Sequence, residues 1–148
     1  MSALRRAAIG DLPAVTALQR AAYARNRAIL GVQPLPLLAD YAEIFAHYEV
    51  YLAERDGALD GVLILEPRPD DLLIWSVATA PAAQGRGIGN AMLAFAETRA
   101  RELSLPCIRL YTGAPLTFNI AWYGRHGYTH ERTEDMGDRR AVHLVKQL

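Results

Sequence analysis

An apolar run, a hexapeptide with three glycines and an amphipathic run succeed one another between residues 72 and 103, and few folds accept that succession. Residues 72–79, Leu-Leu-Ile-Trp-Ser-Val-Ala-Thr, read as a strand buried on both faces. Residues 87–103 place Ile88, Met92, Phe95, Ala96 and Leu103 on one helical stripe, with Glu97 and Arg101 opposite. Gln84-Gly85-Arg86-Gly87-Ile88-Gly89 lies where strand passes into helix. Glycines have no β-carbon, so an anionic group can approach the main chain closely. The first helical turn adds unpaired N–H groups and the positive end of the helix dipole, which suits a pyrophosphate. Arg86 brings a mobile positive charge beside it. The stretch reads as a diphosphate cradle.

Three such cradles are distinguishable by spacing. A nucleotide-triphosphatase loop requires G-x-x-x-x-G-K-S/T, and no lysine or hydroxyl residue stands where it is needed. The dinucleotide fingerprint requires G-x-G-x-x-G, whereas the spacing here is G-x-G-x-G with no repeated βαβ pattern after it. The third pattern, Gln/Arg-x-x-Gly-x-Gly/Ala, is filled by Gln84, Gly87 and Gly89. With Pro81 ahead of it and Asn90-Ala91-Met92-Leu93 behind, the segment resembles the pyrophosphate motif of the GNAT family, the acetyl-CoA-dependent N-acetyltransferases. That resemblance implies that Gln84, Gly85, Arg86, Gly87, Ile88, Gly89 and Asn90 bind acetyl-CoA.

The composition narrows the remaining classes. A length of 148 residues fits one domain, residues 1–148, able to bury about two thirds of its unfolded surface. Sixteen basic residues balance sixteen acidic ones, and no run of like charge gives the footprint of a nucleic-acid binder. Cys107 is the single cysteine, which suits a reducing compartment, and its place at the head of an apolar strand predicts burial. No apolar run reaches the roughly 18 residues of a membrane span, and the N-terminus lacks a signal-peptide core. A cytoplasmic protein without a membrane partner is expected. None of the four histidines forms H-E-x-x-H, and Gly127 separates His126 from His130, so no metal is expected.

Taken in order, residues 4–8 read as a short first strand. Asp11 is a candidate helix cap, with Pro13 in the first turn and Val15, Leu18 and Ala22 on one apolar face. Arg25-Asn26-Arg27 and Gly31 end that helix, Gln33-Pro34-Leu35-Pro36 is a stiff connector, and Leu38, Tyr41, Phe45 and Tyr48 mark a second helix. Residues 50–54 and 61–65 flank Arg55-Asp56-Gly57, a hairpin signal because Asp-Gly tolerates positive φ. After the cradle helix, residues 107–112 form an apolar strand, and a right-handed crossover makes it the parallel neighbour of residues 72–79. Thr117 is a candidate cap for a short helix reaching His126 and stopped by Gly127. Residues 128–132 and 141–146 suggest a terminal hairpin around Met136-Gly137-Asp138. The order β-α-α-β-β-β-α-β-α-β-β is that of the GNAT family. The resemblance therefore implies an α/β (α+β) fold. Its mixed, mostly antiparallel sheet has about seven strands, is flanked by four helices and splays between the fourth and fifth strands.

A second signature carries the chemistry. Asn119-Ile120-Ala121-Trp122-Tyr123-Gly124-Arg125-His126-Gly127-Tyr128 is similar to the family's N-x-A-x-x-Tyr-x-x-x-Gly-aromatic segment. Acyl transfer from a thioester to an amine needs a neutral amine, a stabilised carbonyl oxygen and a proton for the departing thiolate. By resemblance Tyr123 supplies that proton. Val77, Ala78 and Thr79, counted back from Pro81, supply main-chain hydrogen bonds to the pantetheine arm, and an N–H there polarises the thioester carbonyl. Two positions depart from the family. Leu116 stands seven residues before the tyrosine where many members have asparagine, so Asn119, four before it, is the candidate cofactor contact. Tyr111 stands on the fifth strand where many have a glutamate base. Glu54, Glu66, water or a neutral acceptor remain open in its place.

The function expected is acetyl transfer from acetyl-CoA to a primary amine by direct attack. The acceptor is a small molecule, an amino acid, a polyamine-like metabolite or a peptide N-terminus. A non-catalytic acyl-CoA-sensing domain is the alternative, and a homodimer is left open.

Overall fold

The computed structural model describes residues 4–148. Its strands are β1 (Arg5–Arg6), β2 (Glu49–Arg55), β3 (Ala58–Pro67), β4 (Leu72–Thr79), β5 (Cys107–Gly113), β6 (Thr129–Asp135) and β7 (Arg140–Gln147). They form one seven-stranded sheet in the order β1-β2-β3-β4-β5-β7-β6. Every neighbouring pair is antiparallel except β4 and β5, which are parallel as the crossover through the cradle helix requires. The helices are α1 (Leu12–Tyr23), α2 (Asn26–Leu30), α3 (Leu35–Leu38), α4 (Tyr41–His47), α5 (Ile88–Glu102) and α6 (Thr117–Arg125). Four of them, α1, α4, α5 and α6, are the expected flanking helices. The other two are single turns in the stretch read as helix end and connector.

Local chemistry accounts for most element ends. Asp56 and Gly57 take φ of 52° and 79°, the positive values that a two-residue hairpin between β2 and β3 demands. The Asp40 carboxylate accepts from Ala42 N at 2.9 Å and caps α4, an interaction worth about 1 kcal/mol. Gly127, at φ 91°, lets Tyr128 N reach back to Tyr123 O at 3.1 Å and closes α6. Two expected caps are absent. Asp11 precedes α1, but its side chain binds Ala8 N and Arg5 instead of the helix. Thr117 lies inside α6, and Leu116 holds the capping position without a side-chain bond.

Each face of the sheet is packed. Leu63, Leu65, Ile74 and Ile108 meet Met92, Leu93, Ala96 and Ala100 of α5 on one face. Val50, Leu52, Val62 and Ile64 meet Val15 and Leu18 of α1 and Ile44 of α4 on the other. Alternation assigns β3 residues cleanly to the two faces. Strand β4 breaks the alternation. Ile64 pairs with Ser76 and Leu65 with Ile74, so Trp75 is an extra residue in a β-bulge. Its indole and the Ser76 side chain both face α1 and α4: Trp75 packs edge-on against Tyr41 and Tyr48, and Ser76 bonds Gln19.

Just before the bulge the sheet opens. Strands β4 and β5 pair only at Leu72–Ile108 and Leu73–Arg109. Buried Asp71 fastens that closed end, accepting from Arg68 Nε at 2.6 Å, Arg68 Nη2 at 2.7 Å and Arg109 Nη1 at 3.0 Å. Arg109 Nη2 continues to Glu131 Oε2 of β6 at 3.0 Å. From residue 74 onward the facing edges of the two strands have no strand partner across the gap.

Candidate active site

The gap between β4 and β5 is a cavity of about 610 Å³, and the cradle opens into it. Gly85 and Gly87 sit at φ 82° and 78°, conformations that side-chain-bearing residues rarely adopt. A β-carbon at either would meet nothing within 4 Å, so backbone conformation demands glycine there and free space lies above the turn. Gly87 is the residue before α5, and no side chain caps the first turn. The N–H groups of Ile88, Gly89 and Asn90 are thus left for a ligand or for water. Gly89 is glycine for a different reason: a β-carbon would lie 3.0 Å from Trp122 Cζ2. Trp122 Nε1 also donates to Asn90 Oδ1 at 3.3 Å, which ties α6 to the start of α5.

The structure brings nearly all the sequence-derived residues to this cavity. Gln84, Gly85, Gly87, Ile88, Gly89 and Asn90 line it at the cradle, Asn119 and Tyr123 from α6, and Val77, Ala78 and Thr79 from the free edge of β4. Arg86 is the exception; it is exposed and outside the lining. Leu116, in the position where asparagine was expected, lines the cavity as a buried apolar residue. Tyr111 lines it too, its ring tilted against His143 at 5.4 Å between centroids. Neither Glu54 nor Glu66 lines it, and Glu54 pairs with Arg5.

Tyr123 is 8% exposed and surrounded by aromatic rings: Trp122 at 5.0 Å and Tyr128 at 5.7 Å. Burial raises its hydroxyl well above the usual tyrosine range, helped by the nearby Tyr23 and Tyr128. The group therefore stays protonated and is a donor at any working pH.

A polar cluster that the sequence did not reveal lies behind β4. Gln19 of α1 is fully buried; its Nε2 donates to Ser76 Oγ at 2.9 Å and Tyr41 Oη at 3.0 Å. Tyr41 in turn donates to Pro36 O at 2.7 Å, and Tyr23 Oη lies 2.8 Å from Ser76 Oγ. Burial pushes the Tyr41 hydroxyl up to about 12 and raises that of Tyr23, so both remain neutral. Gln19 Oε1 has no partner. One signal was available: Gln19 falls on the stripe of Val15, Leu18 and Ala22, where a polar residue needs buried partners.

Among the described residues no cluster of histidine, cysteine or carboxylate side chains is arranged to hold a metal ion, and no helix is long and apolar enough to cross a membrane. Cys107 is buried, as expected from its place on β5.

Comparisons with known proteins find the same fold. A PaiA N-acetyltransferase from Thermoplasma acidophilum, solved in complex with coenzyme A, has the same fold at 16% identity. Its TM-score is 0.84, with 100% of this chain and 99% of that chain covered. A ribosomal-protein-alanine N-acetyltransferase from Brucella melitensis matches at 25% identity and TM-score 0.75, with 99% of each chain covered. Among curated relatives, a mycothiol acetyltransferase from Cellulomonas flavigena is 32% identical over 96 residues, 57% of this chain. The chain spans only 28% of that relative's length. An amino-acid acetyltransferase from Ralstonia nicotianae is 28% identical over 106 residues, 64% of this chain and 23% of the relative. The profile of the acetyltransferase (GNAT) family matches residues 14–128, from α1 through the cradle to just past the end of α6. The chain belongs to the acetyltransferase (GNAT) family.

Proposed function

We propose that the chain transfers the acetyl group of acetyl-CoA to a primary amine of a small molecule or peptide by direct attack. The observation that carries this reading is that the cradle, the free edge of β4 and the Tyr123 side chain line one cavity. In this reading residues 84–90 hold the pyrophosphate. The pantetheine arm hydrogen-bonds the main chain of residues 77–79 where β5 has turned away, and Asn119 contacts it from α6. The neutral amine attacks the thioester carbon; the C–N bond forms as the carbonyl electron pair moves to oxygen, where a β4 N–H receives the charge. That pair returns, the C–S bond breaks, and sulfur takes a proton from Tyr123. The nitrogen loses one proton on becoming an amide, which restores Tyr123, so the reaction neither consumes nor releases protons overall. Burial makes the phenol a reluctant acid. Its help is therefore a hydrogen bond that becomes a transfer only as charge builds on sulfur.

The test combines thermal unfolding with thiol release. Acetyl-CoA at 100 times its dissociation constant should stabilise the fold by about 2.7 kcal/mol, and CoA thiol should appear only when an amine is supplied. Stabilisation without thiol release across a broad amine panel would make the chain an acyl-CoA-sensing domain instead.

A further inference from the structure

The cavity has two walls of different make. The cradle and the start of α5 form one. The other is built from α2, the connector after it, the end of β5 and the turn between β6 and β7. This second wall is a single piece. Leu30 of α2 packs so tightly on β5 that a β-carbon on Gly113 would lie 2.5 Å from Leu30 Cδ2. Arg139 of the β6–β7 turn donates through Nη1 to Gln33 O of the connector at 2.7 Å. The residues assigned to acetyl-CoA above all belong to the first wall, to β4 or to α6. On that assignment, which rests on the transferase reading, the second wall receives the acceptor.

Its charge is one-sided. Arg25, Arg139 and Arg140 line the cavity, and among the described residues no aspartate or glutamate does. Arg139 is a strut, since its other nitrogens reach Asp138 at 3.2 Å and its side chain is only 14% exposed. Arg25 and Arg140 are exposed, and the ion pairs among the described residues include neither of them. Around them the wall is apolar, through Leu30, Leu35, Pro36, Tyr111 and Met136.

These features discriminate among amines. A polyamine would set its remaining cations beside guanidinium groups, and like charges repel; no carboxylate lines the cavity to receive them, Asp135 opposite Arg140 lying outside the lining. An acceptor bearing a carboxylate meets forked donors whose planar geometry matches it. Cationic surroundings also favour the unprotonated form of an amine, the form that attacks. We propose that the acceptor is a small primary amine that carries a carboxylate on an apolar body, with Arg25 and Arg140 receiving the carboxylate.

The test measures thiol release by the intact protein with acetyl-CoA and matched acceptors, rates being compared per unprotonated amine. L-Leucine is set against leucinamide and isopentylamine, and L-phenylalanine against phenylalaninamide, with spermidine and O-phosphoethanolamine beside them. Each acid should exceed its amide in kcat/KM by about tenfold or more. Arg25→Gln and Arg140→Gln should each shrink that preference mainly through KM, and the double variant should erase it. Equal use of acid and amide, a preference for spermidine or O-phosphoethanolamine, or a preference that survives the double variant overturns the inference and leaves the transferase reading standing. Release with no amine at all overturns the transferase reading. The wall is then judged by whether L-phenylalanine, and not its amide, raises the melting temperature of the CoA-loaded protein; no difference between them sinks the inference as well.

Discussion

At the scale of single residues, Tyr123 is the position on which turnover should depend. Tyr123→Phe keeps the ring that packs between Trp122 and Tyr128 and removes only the hydroxyl. If that hydroxyl serves the departing sulfur, its contribution belongs to the transition state. The kcat should then fall by about 10²-fold while acetyl-CoA affinity barely changes. Steady-state kinetics beside a binding titration check this, and intact turnover in the variant removes Tyr123 as the acid. Glu54 and Glu66 lead to the opposite expectation. Neither lines the cavity, so Glu54→Gln and Glu66→Gln should keep the wild-type pH–rate profile. A loss confined to low pH in either variant would restore it as the base. The positive φ of Gly85 and Gly87 and the place of Tyr123 on the cavity were legible because each motif fixes a residue type at a local spacing. Gln19 left a trace only on its apolar stripe, and its meeting with Ser76 and Tyr23 left none, because it joins α1 to β4 across 53 and 57 positions of chain. No local pattern encodes such a contact.

Among the elements, the cradle could be read and the bulge could not. Strand, turn and helix at residues 72–103 each leave a periodic or compositional trace, and the helix predicted over 87–103 is α5, Ile88–Glu102. Gly87→Glu puts a β-carbon at φ 78° and a carboxylate at the mouth of that helix. It should abolish the thermal shift given by acetyl-CoA, and an undiminished shift would place the donor elsewhere. The bulge at Trp75 leaves no such trace. An eight-residue strand of nearly unbroken apolar character shows no change of phase when one residue is added, because both faces accept it. Yet the extra residue turns Ser76 toward α1. The separation of β4 from β5 was carried by resemblance alone. Nothing in the apolar residues of 107–112 says that only two of them pair with β4.

For the whole molecule, the closed end of the split sheet depends on Asp71. Arg68 and then Arg109 hold its carboxyl below the ordinary value. A carboxyl depressed in the folded state contributes fully above its unfolded value of about 3.9, and that contribution is lost as pH falls through the lower, folded value. Asp71→Asn should therefore cost about 2 kcal/mol at pH 7, the scale of charge-assisted bonds to a buried group. It should also flatten the fall of melting temperature below about pH 4. Melting curves from pH 7 to pH 3 check both, and an acid limb as steep as the wild type's would show that the clamp carries no stability. Above that clamp, the two walls differ in what they are made of. The wall proposed to hold the donor consists largely of main chain and glycine, which offer little for substitution to alter short of refolding the turn. The wall proposed to receive the acceptor is written in side chains: arginine, leucine, tyrosine, methionine. On the proposed reading, duplicated copies of such a gene can therefore exchange one client for another by a few codon changes on that wall, while every copy continues to draw on the same activated thioester.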